Sequence, residues 1–396
     1  MRKLKFYIPV AALVATLASC DKKENTPAQG VPGVAKELPC EITGNMQLTN
    51  HNTTGVDYIV NCEVEITGGT LRIDPDVTIE FKVNSSLNVR EGAAIAATGT
   101  PDKPIVMRGN GVGNTWYGIS IWSQNAASKL SYCNVSQAGS AITFSASLAG
   151  FSEEIKSAIT VWHRAELSNV TIDGSDGVGL AVSDGAQIAI SALNIKNCAQ
   201  QPIITYAGWL NSSFNLGSCT FSGNGAPYIA LYSTTSNEEV DGMVSIPKAP
   251  LPYYAVRGLN FTGDAVIAAG VEIRFANNLR MGVNDGASLA INGTSSEPVI
   301  IRGETKSPGF WQGMLIRSNN PKNVFNYLQI ADGGSEDIGV WAGKTNIAVG
   351  DKIEEARVTL NNCSSENVKG GCQVTVNENG GTLVNNSSSI TNVCVH

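Results

Sequence analysis

The chain is poor in histidine and in charge. Its 396 residues include three histidines, His51, His163 and His396, and charged residues make up 15%. No C-x-x-C pair occurs, so the usual thiolate spacing of a zinc site is missing. Neither a Ser/His/Asp set nor a phosphate-binding glycine loop stands out. Beyond the first twenty residues no apolar run is long enough to cross a bilayer. Helical periodicity is nearly absent, and its best stretch, Asp351 to Arg357, makes two turns at most. No lysine/arginine cluster follows residue 36, and the formal net charge is −7. The chain therefore lacks the basic patch that nucleic-acid phosphates or anionic lipid heads attract. These absences argue against a helical bundle, an integral membrane protein, a nucleic-acid binder and a zinc site. No metal or cofactor is expected.

What is present is a dense run of short strands. Thr70 to Ile73, Val77 to Val83, Ser86 to Val89, Ala94 to Ala96, Pro104 to Met107 and Gly118 to Trp122 follow in close order. Lys129 to Val135, Ala158 to Val161, Leu167 to Ile172 and Gly179 to Val182 continue the series. They are rich in Val, Ile, Thr and Ala and are punctuated by Gly, Asn, Asp, Pro or Ser. The 41 glycines fit many tight turns.

Two stretches 194 to 195 residues apart are copies. The first runs through Val77-Thr78-Ile79-Glu80-Phe81, Glu91-Gly92-Ala93, Gly99-Thr100, Pro104-Ile105, Arg108-Gly109, Trp116-Tyr117-Gly118-Ile119 and Tyr132 to Gly139-Ser140. The second runs through Val271-Glu272-Ile273-Arg274-Phe275, Asp285-Gly286-Ala287, Gly293-Thr294, Pro298-Val299, Arg302-Gly303, Trp311-Gln312-Gly313-Met314 and Tyr327 to Gly334-Ser335. The match extends upstream, with Asp57-Tyr58-Ile59-Val60 against Tyr253-Tyr254-Ala255-Val256. A tandem duplication of this kind points to a repeat architecture. A degenerate apolar-Asn motif recurs at Tyr132 to Val135, Leu167 to Val170, Leu193 to Ile195 and Leu259 to Phe261. In a coiled β-solenoid such residues stack turn upon turn, apolar groups inward and asparagines at the corners. The expected coil is roughly 20 to 27 residues. The halves are 37–240 and 241–396, joined by the proline-rich stretch Ile246 to Pro252 and expected to form one continuous rod that buries the sheet edge of the first half.

The whole pattern resembles the right-handed parallel β-helix of the pectate-lyase-like superfamily. It is most similar to lipid-anchored β-helix proteins of the Bacteroidetes type. The phrase that carries the resemblance, a glycine-led strand, an apolar-x-apolar-x-Phe strand, a Gly-Ala turn, Gly-Thr-x-x-x-Pro-Ile and Trp-x-Gly-Ile, reads here Gly68-Gly69-Thr70-Leu71, Val77 to Phe81, Gly92-Ala93, Gly99 to Ile105 and Trp116 to Ile119. The resemblance covers about residues 40 to 396 and implies fold rather than activity.

The first twenty residues carry an address. Arg2, Lys3 and Lys5 precede an apolar stretch, Phe6 to Leu17, and Leu17-Ala18-Ser19-Cys20 resembles a bacterial lipobox. Residues 1–19 are therefore expected to be a lipoprotein signal peptide, with Cys20 the lipid anchor to the membrane. Its removal takes three positive charges and moves the net charge from −7 to −10. Residues 20–36, charged and rich in Pro and Gly, read as a flexible tether. The implied location is the outer membrane or cell surface.

An oxidising envelope permits disulfides. Cys40 with Cys62, Cys198 with Cys219 and Cys372 with Cys394 are spaced by about one coil, so each pair is expected either to bridge stacked strands or to remain as buried thiols.

Several groups could carry function. Trp162-His163-Arg164 has no counterpart in the second copy, and Trp122 and Trp341 are also irregular. These five are the ligand-binding candidates, through stacking and hydrogen bonding. Trp116 and Trp311 recur in both copies and read as packing. Arg164 with Asp173, Asp176 and Asp184 is a weak catalytic candidate, because all three acids sit in Asp-Gly turns. The expected function is binding of a polysaccharide or a surface protein through a rigid face. A polysaccharide lyase or glycosidase of the same superfamily is the alternative, with calcium needed only for a lyase. An adhesin or spacer without a small ligand is the third reading.

Overall fold

The structure, a computed structural model, describes residues 33–396 except 53–54, 145–154, 235–236, 339–342 and 351–354. Residues 1–20, including the expected signal peptide and Cys20, and Trp341 lie outside the described residues. The chain is a parallel β-helix. One sheet of 14 strands carries Ser86–Val89, Gly118–Ile121, Ile155–Val161, Val178–Val182, Ile203–Tyr206 and Ile229–Tyr232, then Tyr253–Ala255, Glu272–Phe275, Val299–Gly303, Leu328–Ala331 and Ser364–Glu366. All of these pair in parallel. Between successive visits to this long sheet the chain covers two other faces, with one strand on each in most circuits and with a single long strand, Lys129–Ser136 or Arg164–Asp173, in two of the first half. In the first half those faces belong to a sheet of 12 strands; in the second they are separate sheets of 7 and 6.

Alternation along each strand explains the core. Ile119, Ile159, Leu180, Ile203 and Ile229 occupy one inward column of the long sheet and are fully buried. Each such side chain stabilises the fold by about 1.5–3 kcal/mol relative to exposure. Where the corner turns, the residue adopts a left-handed backbone, as at Tyr132, Asn169, Tyr327 and Asn362. Asparagines stack beside these corners. Asn361 Nδ2 donates to Asn326 Oδ1 at 2.9 Å and Asn386 Nδ2 to Asn361 Oδ1 at 3.0 Å.

The recurring Trp-x-Gly phrase is a packing device. Trp116 stacks on Phe81 at 3.8 Å and Trp311 on Phe275 at 4.6 Å. Both indoles are buried, and their Nε1 groups donate to the Ser136 and Ala331 carbonyls at 2.9 and 2.7 Å. The glycine that follows has φ 113° at Gly118 and 115° at Gly313. A Cβ there would lie 2.5 or 2.6 Å from a carbonyl oxygen of the next coil, so no larger residue fits.

The two copies do not occupy the same faces. Thr78–Phe81 and Ile105–Gly109 lie in the 12-stranded sheet, whereas their copies Glu272–Phe275 and Val299–Gly303 lie in the long sheet. Ser86–Val89 and Gly118–Ile121 lie in the long sheet, whereas their copies Arg280–Val283 and Gly313–Ile316 form part of the 7-stranded sheet. The second copy is advanced by one face around the axis. The upstream match also shifts. Tyr58 is opposite Ile79, and Tyr253, not Tyr254, is opposite the equivalent Ile273.

Disulfides join Cys40 to Cys62 and Cys372 to Cys394. The pair Cys198 and Cys219 is not bridged; both are buried thiols. The circuit there is 26 residues, with Asn194 opposite Thr220, so a separation of 21 places the two sulfurs out of register. Cys198 N–H instead faces Asn224 Oδ1 at 3.0 Å, and Cys219 lies by Leu193. Ala356 and Arg357, the end of the stretch with the best helical periodicity, begin the strand Ala356–Asn361, while 351–354 are outside the described residues.

Candidate functional site

The outward side chains of the long sheet form columns that change chemistry along the axis. One column runs Asn88, Ser120, Thr160, Ala181, Ile204, Ala230, Tyr254, Arg274, Arg302, Ala331 and Glu366. It is polar at the start, apolar and buried in the middle, and charged at the end.

The charged end is a groove of about 890 Å³. Glu272 accepts from Arg274 Nε at 2.8 Å and pairs with Arg302 Nη2 at 2.8 Å. Arg302 also donates to the carbonyls of Gly303 and Glu304, at 2.7 and 3.2 Å. Arg274 Nη1 faces Glu304 Oε2 at 3.5 Å. Burial alone raises the Glu272 carboxyl. The hydrogen bond from Arg274 and the charges of Arg274 and Arg302 outweigh it and hold the group below the ordinary range. Glu272 is therefore held between the two guanidinium groups before any ligand arrives. Lys306 is exposed at the rim.

Asp332 lines the same groove and is 1% exposed. Its Oδ1 accepts from Asn367 Nδ2, while its buried Oδ2 has no hydrogen-bond partner among the described residues. Burial pushes this carboxyl up, against the pull of Asn367 and Arg302. Next to the groove, Tyr228 and Tyr254 lie 4.6 Å apart and half-buried. Burial raises both phenols, and the charge of Glu304 adds to it. The site thus combines an aromatic pair, a locked Arg–Glu lattice and one unsatisfied acid.

A second, smaller groove of about 180 Å³ opens on the first half of the same sheet, lined by Glu63, Asn88, Arg90, Tyr117, Ser120 and Trp122 among others. Its anchor is Glu65, which accepts from Arg90 and from Asn88 Nδ2, each at 2.9 Å. The hydrogen bond from Arg90 is the main reason the Glu65 carboxyl titrates below its usual range. Seven strand spacings separate Gly118–Ile121 from Val299–Gly303, about 34 Å.

The sequence-based candidates disperse. Trp122 and Trp162 occupy one column and stack on each other at 4.1 Å. Arg90 sits 6.0 Å from the Trp122 ring centroid, and Trp162 packs against the buried cluster of Ala181, Ile204 and Tyr206. Each indole spends one face on the other, and both are half-buried. His163 is half-buried at the corner, with Nδ1 buried and lacking a hydrogen-bond partner among the described residues. Arg164 begins the strand Arg164–Asp173 on another face and lines a pocket of about 320 Å³ with Glu166 and Gln187. The triplet is therefore split across a corner.

The three acids do not converge with Arg164. Asp173 ends that ten-residue strand and binds Lys196 Nζ at 3.3 Å and Asn197 Nδ2 at 2.8 Å. Asp176 accepts from Thr115 Oγ1 at 2.7 Å, and Asp184 from Ser183 Oγ at 3.1 Å. Asp176 and Asp184 flank opposite ends of Val178–Val182. Each is a turn residue serving its own corner. The residues of the charged groove were not singled out from the sequence. A signal was available: between the copies Thr78 becomes Glu272, Asn110 becomes Glu304 and Gln137 becomes Asp332.

Among the described residues no helix is long and apolar enough to cross a membrane. Comparison with protein-family models, with curated proteins and with solved structures finds no match to this chain, so the functional reading rests on the groove.

Proposed function

We propose that this protein is a lipid-anchored, extracytoplasmic β-helix of the pectate-lyase-like type that binds a glycan along the outer face of its long sheet. The observation that carries the reading is the divergence of the second copy. Its scaffold residues are kept, while Glu272, Glu304 and Asp332 replace neutral residues beside a tyrosine pair. Scaffold duties do not demand those changes. Paired guanidinium and carboxylate groups, already fixed in place, hydrogen-bond sugar hydroxyls at little ordering cost. Tyrosine rings offer the apolar surface that a sugar face covers. Leu17-Ala18-Ser19-Cys20, which resembles a lipobox, supports anchorage through Cys20 and with it a place at the outer membrane or cell surface. The test is retention of purified 21–396 on neutral and acidic polysaccharides. Retention lost in Arg302→Ala and kept in Trp162→Ala supports the groove; silence across a broad glycan array sinks it.

One observation favours an enzymatic reading, a glycosidase. The buried, unpaired Asp332 Oδ2 belongs to an acid whose proton is held more tightly than usual, the property needed to protonate a leaving group. New reducing ends that vanish in Asp332→Asn support that reading. The lyase form has less behind it, since among the described residues no three carboxylates meet closely enough to hold calcium. Unsaturated ends formed only with calcium would support it nonetheless.

A further inference from the structure

The last coil brings together three donors that no other part of the described chain matches. Cys372 opens the strand Cys372–Val376, and Cys394 lies on the adjacent parallel strand Val393–Val395. His396 follows two residues after Cys394, so the alternation of the strand puts both side chains on one side. The pairing extends through His396. Its N–H donates to the Val376 carbonyl at 3.1 Å, and its own carbonyl accepts from Glu378 N–H at 2.9 Å. The backbone that carries the imidazole is therefore held in place. The two sulfurs and an imidazole nitrogen all lie within 4.8 Å of one another, with the cysteines half-buried and His396 exposed. Cys40–Cys62 has no such third donor; among the described residues this is the one group of three His, Cys, Asp or Glu side chains that meets so closely.

We propose that the Cys372–Cys394 bridge is a redox-gated metal site, closed as a disulfide and able, once reduced, to bind one thiophilic cation such as Zn²⁺ through Cys372, Cys394 and His396. The chemistry balances with a dithiol or phosphine as reductant. The S–S bond takes up two electrons and two protons and breaks into two thiols, while the dithiol gives up its two protons and closes to its own disulfide, or the phosphine becomes its oxide with water supplying the oxygen and both protons. The cation then displaces both thiol protons and takes a lone pair from the neutral imidazole. Bonds of about 2.3 Å to sulfur and about 2.1 Å to nitrogen fit this donor set after small side-chain shifts. The fourth position faces solvent and holds water or an exogenous ligand, the arrangement of an open site. The other thiols do not compete. Cys133, Cys198, Cys219 and Cys363 are buried, and burial pushes Cys133 up to about 12 and Cys198 to about 11.

The test is a titration of mature protein with Zn²⁺ against a chromophoric competitor, before and after anaerobic phosphine reduction. The expected result is one equivalent bound by the reduced protein and none by the oxidised protein. Cd²⁺ gives a thiolate charge-transfer band in the reduced form only. His396→Ala, an exposed change with no effect on folding, weakens zinc binding at least tenfold. The double variant Cys372→Ser/Cys394→Ser abolishes uptake, and Cys40→Ser/Cys62→Ser leaves it intact. No uptake after reduction, equal affinity in His396→Ala, or uptake that persists without Cys372 and Cys394 would each overturn the proposal.

Discussion

Thr78–Phe81 and Glu272–Phe275 are the same strand twice, and they differ in the two respects that matter for a ligand. Both bury their isoleucine and phenylalanine fully. Both back onto a buried tryptophan, and both are followed one circuit later by an arginine, Arg108 or Arg302, at an outward position. Yet the first strand faces out from the 12-stranded sheet and the second from the long sheet. Arg108 makes one exposed pair with Glu80, at 2.9 Å. Arg302 sits 13% exposed in a lattice with Glu272 and two carbonyls. The comparison teaches that duplication preserves the local coil and leaves two things free: the angle at which the coil is presented, and the outward residues. The change of angle falls between Ile203–Tyr206 and Tyr253–Ala255. There the chain makes two short 3-10 turns, Ala207–Trp209 and Leu216–Ser218, the 12-stranded sheet ends at Thr220–Ser222, and the new sheets begin at Glu239–Val240 and Val244–Ile246.

The comparison can be broken most severely at the shared packing. Trp116→Ala and Trp311→Ala should each destabilise the fold by about 3–5 kcal/mol, because both remove a buried indole and its hydrogen bond. Urea denaturation checks this; a large inequality between the two would mean that the copies are not equivalent inside. It is sharpened next at the arginines. Arg302→Ala should weaken glycan retention at least tenfold, about 1.4 kcal/mol, whereas Arg108→Ala should leave it unchanged, by affinity electrophoresis.

A third change concerns Asp332, which stands where the first copy has Gln137. Its carboxyl is raised in the folded state by burial. The stability it contributes is fully present below the unfolded value and is lost as pH rises through the folded one. Asp332→Asn, which suits the left-handed backbone at φ 68°, should therefore raise Tm at pH 7, with the gain shrinking towards acid. A gain that is the same at all pH values would remove the titration argument. The smallest effect belongs to the exposed pair Arg108–Glu80, where Glu80→Ala should cost under about 1 kcal/mol and less in high salt.

Much of this fold can be read from the sequence, because its physics is local and repetitive. Alternating Val and Ile, the Trp-x-Gly phrase and stacked asparagines such as Asn326 and Asn361 each declare a coil. Phase is not local. Whether Glu272 looks out from one sheet or another depends on the summed length of every coil before it, and the 26-residue circuit near Cys198 shows how five residues of error misplace a disulfide. The groove was hidden for the same reason. Glu272, Arg302, Asp332 and Glu366 are neighbours only once the coils are stacked. Trp162-His163-Arg164 is loaded with functional groups in the sequence, yet the corner pulls the three side chains apart. Subtracting one copy from the other is the reading that exposes Asp332.

The two disulfides have a bearing on how this molecule comes undone. A stack of coils held by nearest-neighbour pairing behaves as a zipper, and it opens where a coil is joined least to its neighbours. Cys40–Cys62 and Cys372–Cys394 each tie one circuit to the next, on either side of the interruption at 207–234. Under heat or tension the oxidised protein should therefore part at that interruption, and reduction should let the tied circuits separate as well.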